Sequence, residues 1–108
     1  RGKSFDTFCP MGPYLLTADE LPDPHGLRIR CWVNGELRQD SNTRELVFNV
    51  PYLLAYISKT CTLMPGDLLI TGTPGGVGVF RDPQVFLQTG DRVEMEIEGL
   101  GRLCNRVG

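Results

Sequence analysis

The sequence has no long apolar run, no C-x-x-C pair, only one histidine and no surplus of basic charge. A membrane-spanning helix needs about 20 consecutive apolar residues, and no stretch here approaches that. Cys9, Cys31, Cys61 and Cys104 are widely spaced, and His25 is the only imidazole, which is a poor zinc set. With 11 Lys and Arg scattered among 13 Asp and Glu, the net charge is −2, which argues against nucleic acid or an anionic membrane as partner. No signal-peptide pattern opens the chain. No methionine stands at position 1 either, and the 108 residues are expected to be a fragment of a longer protein. A domain of this size buries roughly 65% of its unfolded surface, so an ordinary core is expected. Cys31, placed where a small apolar residue would sit in a strand, then reads as a free thiol in a reducing compartment.

The most informative stretch runs from Leu63 to Gly78. Pro65-Gly66-Asp67 has tight-turn chemistry. Leu68, Leu69 and Ile70 follow as a short apolar run bounded by turn signals, which predicts a strand covered on both faces. Thr71-Gly72-Thr73-Pro74-Gly75-Gly76-Val77-Gly78 then combines four glycines with two hydroxyls. Such a loop lets a backbone approach a ligand and aim N–H groups at an anion. It equally suits a surface turn that needs φ > 0.

Arg1-Gly2-Lys3-Ser4 has the look of the end of a phosphate-binding P-loop. The prolines and glycine of Cys9-Pro10-Met11-Gly12-Pro13 rule out the helix that such a loop must open. Ala18 to Gly26 is a polar, proline-interrupted connector, and His25 within it is assigned no role. From Leu27 the pattern alternates, with Leu27, Ile29, Cys31 and Val33 on one face. Asn34-Gly35 then favours a type I′ turn, so Glu36 to Asp40 is predicted to return as a second strand. Gln39-Asp40-Ser41-Asn42-Thr43 is dense in turn formers and is expected to leave the sheet. Phe48 to Lys59 reads as a helix of about three turns, capped at Asn49, with Leu53, Tyr56 and Ile57 on one face. Val79 to Leu87 is an apolar insertion broken by proline. Thr89-Gly90-Asp91 repeats the earlier Gly-Asp approach to a strand. Val93, Met95 and Ile97 then alternate with Arg92, Glu94, Glu96 and Glu98, and the glutamates are expected on a solvated face, where they make poor metal ligands. Gly99-Leu100-Gly101 turns the chain into a last strand from Arg102 to Val107. The inventory is mostly β with one clear helix, an α+β class.

Gly2-Lys3-Ser4-Phe5-Asp6-Thr7, Asn34-Gly35-Glu36, Gln39-Asp40-Ser41-Asn42-Thr43, Pro65-Gly66-Asp67 and Thr71-Gly72-Thr73-Pro74 with Gly78, taken in this order, resemble the catalytic domain of the fumarylacetoacetate hydrolase family. Phe80-Arg81-Asp82-Pro83 and Phe86-Leu87 look like one of its subgroups, and bacterial members of the family look similar. The resemblance covers residues 1–108 as the C-terminal portion of that domain. It implies a mixed, rolled β-sheet, incomplete here at its N-terminal side. It also implies a metal-dependent enzyme acting on 2-oxo or 1,3-dicarbonyl acids, by C–C bond hydrolysis, decarboxylation or keto–enol isomerisation through a stabilised enolate. Lys3 matches the family's active-site lysine, and Thr73, with Gly72 and Gly75, matches its substrate-binding loop. Thr7 matches a neighbour of a second metal. Magnesium is the cofactor implied, with manganese or calcium as substitutes. Its main ligands, an E-x-E pair and an aspartate, precede the lysine motif in the family, so none is expected within these residues. The partners implied are a small oxo-acid substrate and a second copy in a homodimer, in the cytoplasm or, in a eukaryote, the mitochondrion. The alternative is a truncated noncatalytic domain serving oligomer contact, with a phosphate-binding module third.

Overall fold

The structure, a computed structural model, describes Gly2 and residues 4–108. Four strands form one antiparallel sheet: β1 (Arg28–Val33), β2 (Glu36–Asn42), β3 (Arg92–Ile97) and β4 (Gly101–Arg106), in the spatial order β2-β1-β3-β4. One α-helix, α1 (Val50–Ile57), and two short 3-10 turns, Thr43–Glu45 and Gly78–Phe80, complete the regular elements among the described residues. This is the mostly β, single-helix class expected, and within the described residues the sheet is wholly antiparallel.

The β1–β2 hairpin follows from its turn. Asn34 and Gly35 take φ of 51° and 82°, the two positive values that a type I′ connection requires and that match the twist of the flanking strands. Asn34 also ties the hairpin to the start of β3. Its side-chain oxygen accepts from the Arg92 N–H at 2.9 Å, and its amide donates to Asp91 at 2.8 Å. Cross-strand pairing puts Ile29 opposite Ile97, Cys31 opposite Met95 and Val33 opposite Val93. The alternation read from sequence therefore gives one shared apolar face.

The opposite face departs from expectation. Glu94 does not line a solvated surface; at 8% exposure it is the most buried side chain described. It lies between Arg92 at 3.2 Å and Arg102 at 3.4 Å, while Glu96 pairs with Arg30 and, at 2.8 Å, with Arg102. The guanidinium groups of Arg30 and Arg102 stand 5.1 and 4.4 Å from the centre of the Trp32 ring. An indole flanked by two cations satisfies the acids and covers the aromatic at once. The Arg102 and Arg30 partners hold the Glu96 carboxyl below its ordinary range.

Gln39 to Asn42 also differ from the reading, because they remain in the ladder, opposite Cys31, Arg30, Ile29 and Arg28. β2 is an edge strand, where polar side chains find partners without entering a core. Asp40 takes two bonds from the Arg28 guanidinium, at 3.0 and 2.7 Å, which hold its carboxyl low. Asn42 caps the following 3-10 turn.

Helix α1 starts as expected, with the Asn49 side chain accepting from the Tyr52 N–H at 2.9 Å and Pro51 in the first turn. It is shorter than expected, at eight residues. Beyond Ile57 the bonds Lys59 to Tyr56 and Thr60 to Ile57 close three-residue spacings, which tighten the end instead of extending it. Leu53 and Ile57 turn inward, but Tyr56 points outward and stacks with Tyr52, which in turn stacks on Phe48.

The expected core is not closed: among the described residues no hydrophobic side chain is fully buried. Leu68 and Ile70, read as a strand covered on both faces, run extended without a ladder partner, 60% and 75% exposed. An apolar run states that a residue wants cover without stating what supplies it; here Leu54 and Ile57 of α1 line one pocket with Leu68 and Leu69, and of Leu68 to Ile70 only Leu69 is half-buried.

Candidate functional site

The Gly-Asp turns before Leu68 and before β3 are built alike. The Asp67 carboxylate accepts from the Met64 N–H and the Asp91 carboxylate from the Gln88 N–H, each at 2.8 Å. Asp67 and Asp91 return their own N–H groups to the Met64 and Gln88 carbonyls at 3.0 Å. The Gln88 N–H and the Asn34 amide hold the Asp91 carboxyl low. One such turn precedes the segment that runs into the glycine loop, and the other precedes β3.

The glycine loop, residues 71–78, crosses the apolar face of the hairpin beside β2. Gly76 takes φ of 106°, and a Cβ there would overlap the Arg38 carbonyl oxygen. At Gly78 a Cβ would overlap the Val85 carbonyl oxygen, whose residue returns its N–H to the Gly78 carbonyl at 3.0 Å. Glycine is needed at both positions because backbone lies against backbone. Arg38 is the extra residue of a β-bulge, the register passing from Cys31 opposite Gln39 to Trp32 opposite Leu37. Bulges re-aim backbone groups, and here the Arg38 carbonyl accepts from the Arg81 guanidinium at 2.9 Å.

Two side chains tie the Pro74 and Gly76 carbonyls of the loop into the protein. Gln39 donates to the Pro74 carbonyl at 2.8 Å and to the Thr73 hydroxyl at 2.9 Å. Arg81 donates to the Gly76 carbonyl at 3.1 Å. The N–H groups of Gly72, Thr73, Gly75, Gly76 and Val77, by contrast, meet no acceptor among the described residues. Backbone N–H groups left without an acceptor in a glycine-rich loop are able to face an anion. Beneath the loop lies a cavity of about 550 Å³, lined by Cys31, Val33, Val77, Val85 and Val93 together with Arg38, Gln39, Arg81 and Asp91. Burial raises the Cys31 thiol, which disfavours the reactive thiolate.

The structure brings Gly72, Thr73 and Gly75 together on one exposed loop. Lys3 lies outside the described residues. Thr7 takes φ of 69°, an uncommon value for a β-branched residue, and it has no recorded bond to the glycine loop. Among the described residues no group of three or more His, Cys, Asp or Glu is placed to hold a metal ion. Divalent cations of the magnesium or calcium type take about six or more oxygen ligands, so this donor set does not fit one. His25, assigned no role from sequence, is structural. Its Nδ1 pairs with Asp23 at 2.8 Å, and its Nε2 accepts the Val50 N–H at the start of α1 at 3.2 Å. Gln39 and Arg81 stand in the sequence only as members of the segments that carry the family resemblance, with no role assigned to either. The available signal was register: continuing the period of two through position 39 sets a polar amide on the apolar face, opposite Cys31.

The family model described as "Fumarylacetoacetate (FAA) hydrolase C-terminal" matches residues 1–108. The chain belongs to the fumarylacetoacetate hydrolase family. It is 58% identical over 106 residues to the mitochondrial oxaloacetate tautomerase Fahd2a of Rattus norvegicus, covering 98% of this chain and 34% of that protein. The fumarylacetoacetate hydrolase of Exiguobacterium antarcticum superposes with a TM-score of 0.94 at 45% identity, over 98% of this chain and 38% of that one. A maleylpyruvate hydrolase from Sphingobium sp. SYK-6, in complex with manganese(II) and pyruvate, superposes with a TM-score of 0.83 at 44% identity, over 96% of this chain and 37% of its own. The chain thus spans about a third of the length of the relatives it matches. No helix among the described residues is long and apolar enough to cross a membrane.

Proposed function

We propose that the chain is the C-terminal part of a longer enzyme and forms the wall of its active site that binds the carboxylate of a 2-oxo or 1,3-dicarbonyl acid. The observation that carries this reading is the glycine loop itself: Gln39 and Arg81 hold its Pro74 and Gly76 carbonyls, and five of its N–H groups, beside the Thr73 hydroxyl, meet no acceptor among the described residues. Such a cradle suits a carboxylate, and the family's relatives act on small oxo acids. Thr73 donates its hydroxyl to the bound carboxylate, and the N–H groups around Gly72 and Gly75 complete the cradle. Lys3, by the family pattern, adds positive charge where an enolate oxygen develops, a stabilisation that grows toward the transition state. Keto–enol isomerisation of an oxaloacetate-like acid is the reaction favoured by the tautomerase relative, with C–C bond hydrolysis and decarboxylation sharing the same enolate. The cation is magnesium or, as in the maleylpyruvate hydrolase complex, manganese; its ligands are not among the described residues of this chain. The compartment is the mitochondrion if the source cell has one, and otherwise the cytoplasm.

A second reading has two observations in its favour. The exposed Phe48, Tyr52 and Tyr56 stack and the open apolar segment at Leu68 and Ile70 suit a noncatalytic piece that works through contact, including contact with a second copy in a homodimer.

Thr73→Val in the full-length protein separates the two readings, because it keeps shape and removes the donor. A hydrogen bond to a charged partner is worth about 1.5–3 kcal/mol, so oxalate affinity by calorimetry is expected to fall roughly 10- to 150-fold. Unchanged affinity with the fold intact returns the loop to an ordinary turn.

A further inference from the structure

We propose that Gln39 is a positioning residue that fixes the Thr73 hydroxyl as a donor toward the substrate; this rests on the reading of Thr73 given above. The Gln39 amide reaches two oxygens, the Thr73 hydroxyl at 2.9 Å and the Pro74 carbonyl at 2.8 Å. A carbonyl oxygen only accepts, so the group facing it is the amide nitrogen. An amide NH₂ has two hydrogens, and here each has its own acceptor. The Thr73 oxygen is therefore an acceptor in this pair. A hydroxyl that accepts one bond keeps its single hydrogen for another, and no acceptor for that hydrogen exists among the described residues. Accepting a bond also polarises the hydroxyl as a donor.

The rest of the geometry holds this arrangement in place. Gln39 stands opposite Cys31 in the ladder, so its stem leaves a paired strand at a fixed point. The neighbouring Arg38 carbonyl takes the Arg81 guanidinium, which also holds the Gly76 carbonyl. Thr73 and Gly76 are thus anchored to adjacent residues of β2, while Pro74 restricts the backbone of Thr73 before it. Without Gln39 the Thr73 hydroxyl is free to rotate and to present a lone pair to an incoming carboxylate.

The test is a cycle of Gln39→Met, Thr73→Val and the double variant in the full-length protein, reading oxalate affinity by calorimetry and melting temperature beside it. Methionine keeps the length of the side chain and donates no hydrogen bond. Gln39→Met is expected to weaken oxalate about tenfold, and to add less than about twofold when Thr73 is already valine, since two residues acting through one bond are not additive. An equal loss in both backgrounds, or no loss in the first, overturns the proposal for Gln39 and leaves the Thr73 reading standing. Unchanged oxalate affinity in Thr73→Val overturns both. Should Gln39→Met fail to fold, Gln39→Glu gives a second route: a carboxylate pulls the Thr73 hydrogen toward itself, and the protonated acid releases it. Oxalate affinity is then expected to recover on acidification more steeply with threonine at 73 than in the Thr73→Val background, and equal slopes in the two overturn the proposal.

Discussion

Gly76→Ala is the sharpest structural test of the glycine loop, because the neighbouring Gly75 supplies an internal control. At Gly76 the backbone has φ of 106° and a Cβ would meet the Arg38 carbonyl. At Gly75 nothing lies within 4 Å of a Cβ, and its φ is not in the left-handed range. Forcing a non-glycine residue into such a backbone region costs of order 1–3 kcal/mol. The clash must in addition move the loop off β2, which loosens the Gln39 and Arg81 bonds to Thr73, Pro74 and Gly76. Each such bond is worth about 0.5–1.5 kcal/mol net, so losing two of them brings the total to roughly 2–6 kcal/mol. Gly75→Ala is expected to stay within about 0.5 kcal/mol of wild type. Denaturant unfolding of both variants in the full-length protein reads the difference. Oxalate calorimetry reads whether the loop still binds. Equal stability and equal oxalate affinity in Gly76→Ala and wild type refute the close approach of loop and strand. A Gly75→Ala variant as damaged as Gly76→Ala refutes the distinction drawn between them.

Two further outcomes follow from groups away from the loop. The carboxyls of Asp40, bonded by Arg28, and Glu96, bonded by Arg102 and Arg30, sit below their ordinary values in the folded state; a depressed folded pKa contributes stability that is complete above the unfolded value, about 4, and is lost as pH falls through the folded one. The melting temperature is expected to hold down to about pH 5 and to fall below about pH 4, with Glu96→Gln showing a shallower fall, and an identical acid limb in that variant contradicts the pairing. His25→Leu removes the acceptor for the Val50 N–H; a lost helix-start partner costs about 0.5–2 kcal/mol, and hydrogen exchange at Val50 is expected to quicken, an unchanged rate counting against the contact.

What the sequence made legible was local. Asn34-Gly35 named its own turn because few other residue pairs accept two positive φ values, and the alternation on either side then fixed which residues share a face. Asn49 announced the start of α1, since a side-chain acceptor followed by proline in the first turn leaves little choice. The misses were tertiary. Leu68 to Ile70 asked for cover, and composition has no means of naming the element that supplies it. Gln39 to Asn42 carry turn-forming side chains, but on an edge strand these find partners outside the ladder, Asp40 with Arg28, Asn42 with the Arg44 N–H and Gln39 with Thr73, instead of breaking it. Glu94 looked solvated because its partners, Arg92 and Arg102, close over it only when β3 and β4 pair. The candidate site divides in the same way. Thr73 and its glycines were visible as a loop with donors, whereas Gln39 and Arg81 act on groups 34 and 43 residues distant in the chain.

The central claim is that the glycine loop binds the carboxylate of a small oxo acid through Thr73 and its free N–H groups, and a crystal structure of the full-length protein with oxalate tests it most directly. The expected result is a carboxylate oxygen about 2.7–3.1 Å from the Thr73 hydroxyl, one or more N–H groups of the Gly72 to Val77 region turned to the same ligand, and the Gln39 amide still on the Thr73 oxygen. Oxalate bound elsewhere, with Thr73 and the loop N–H groups facing only solvent, contradicts the claim.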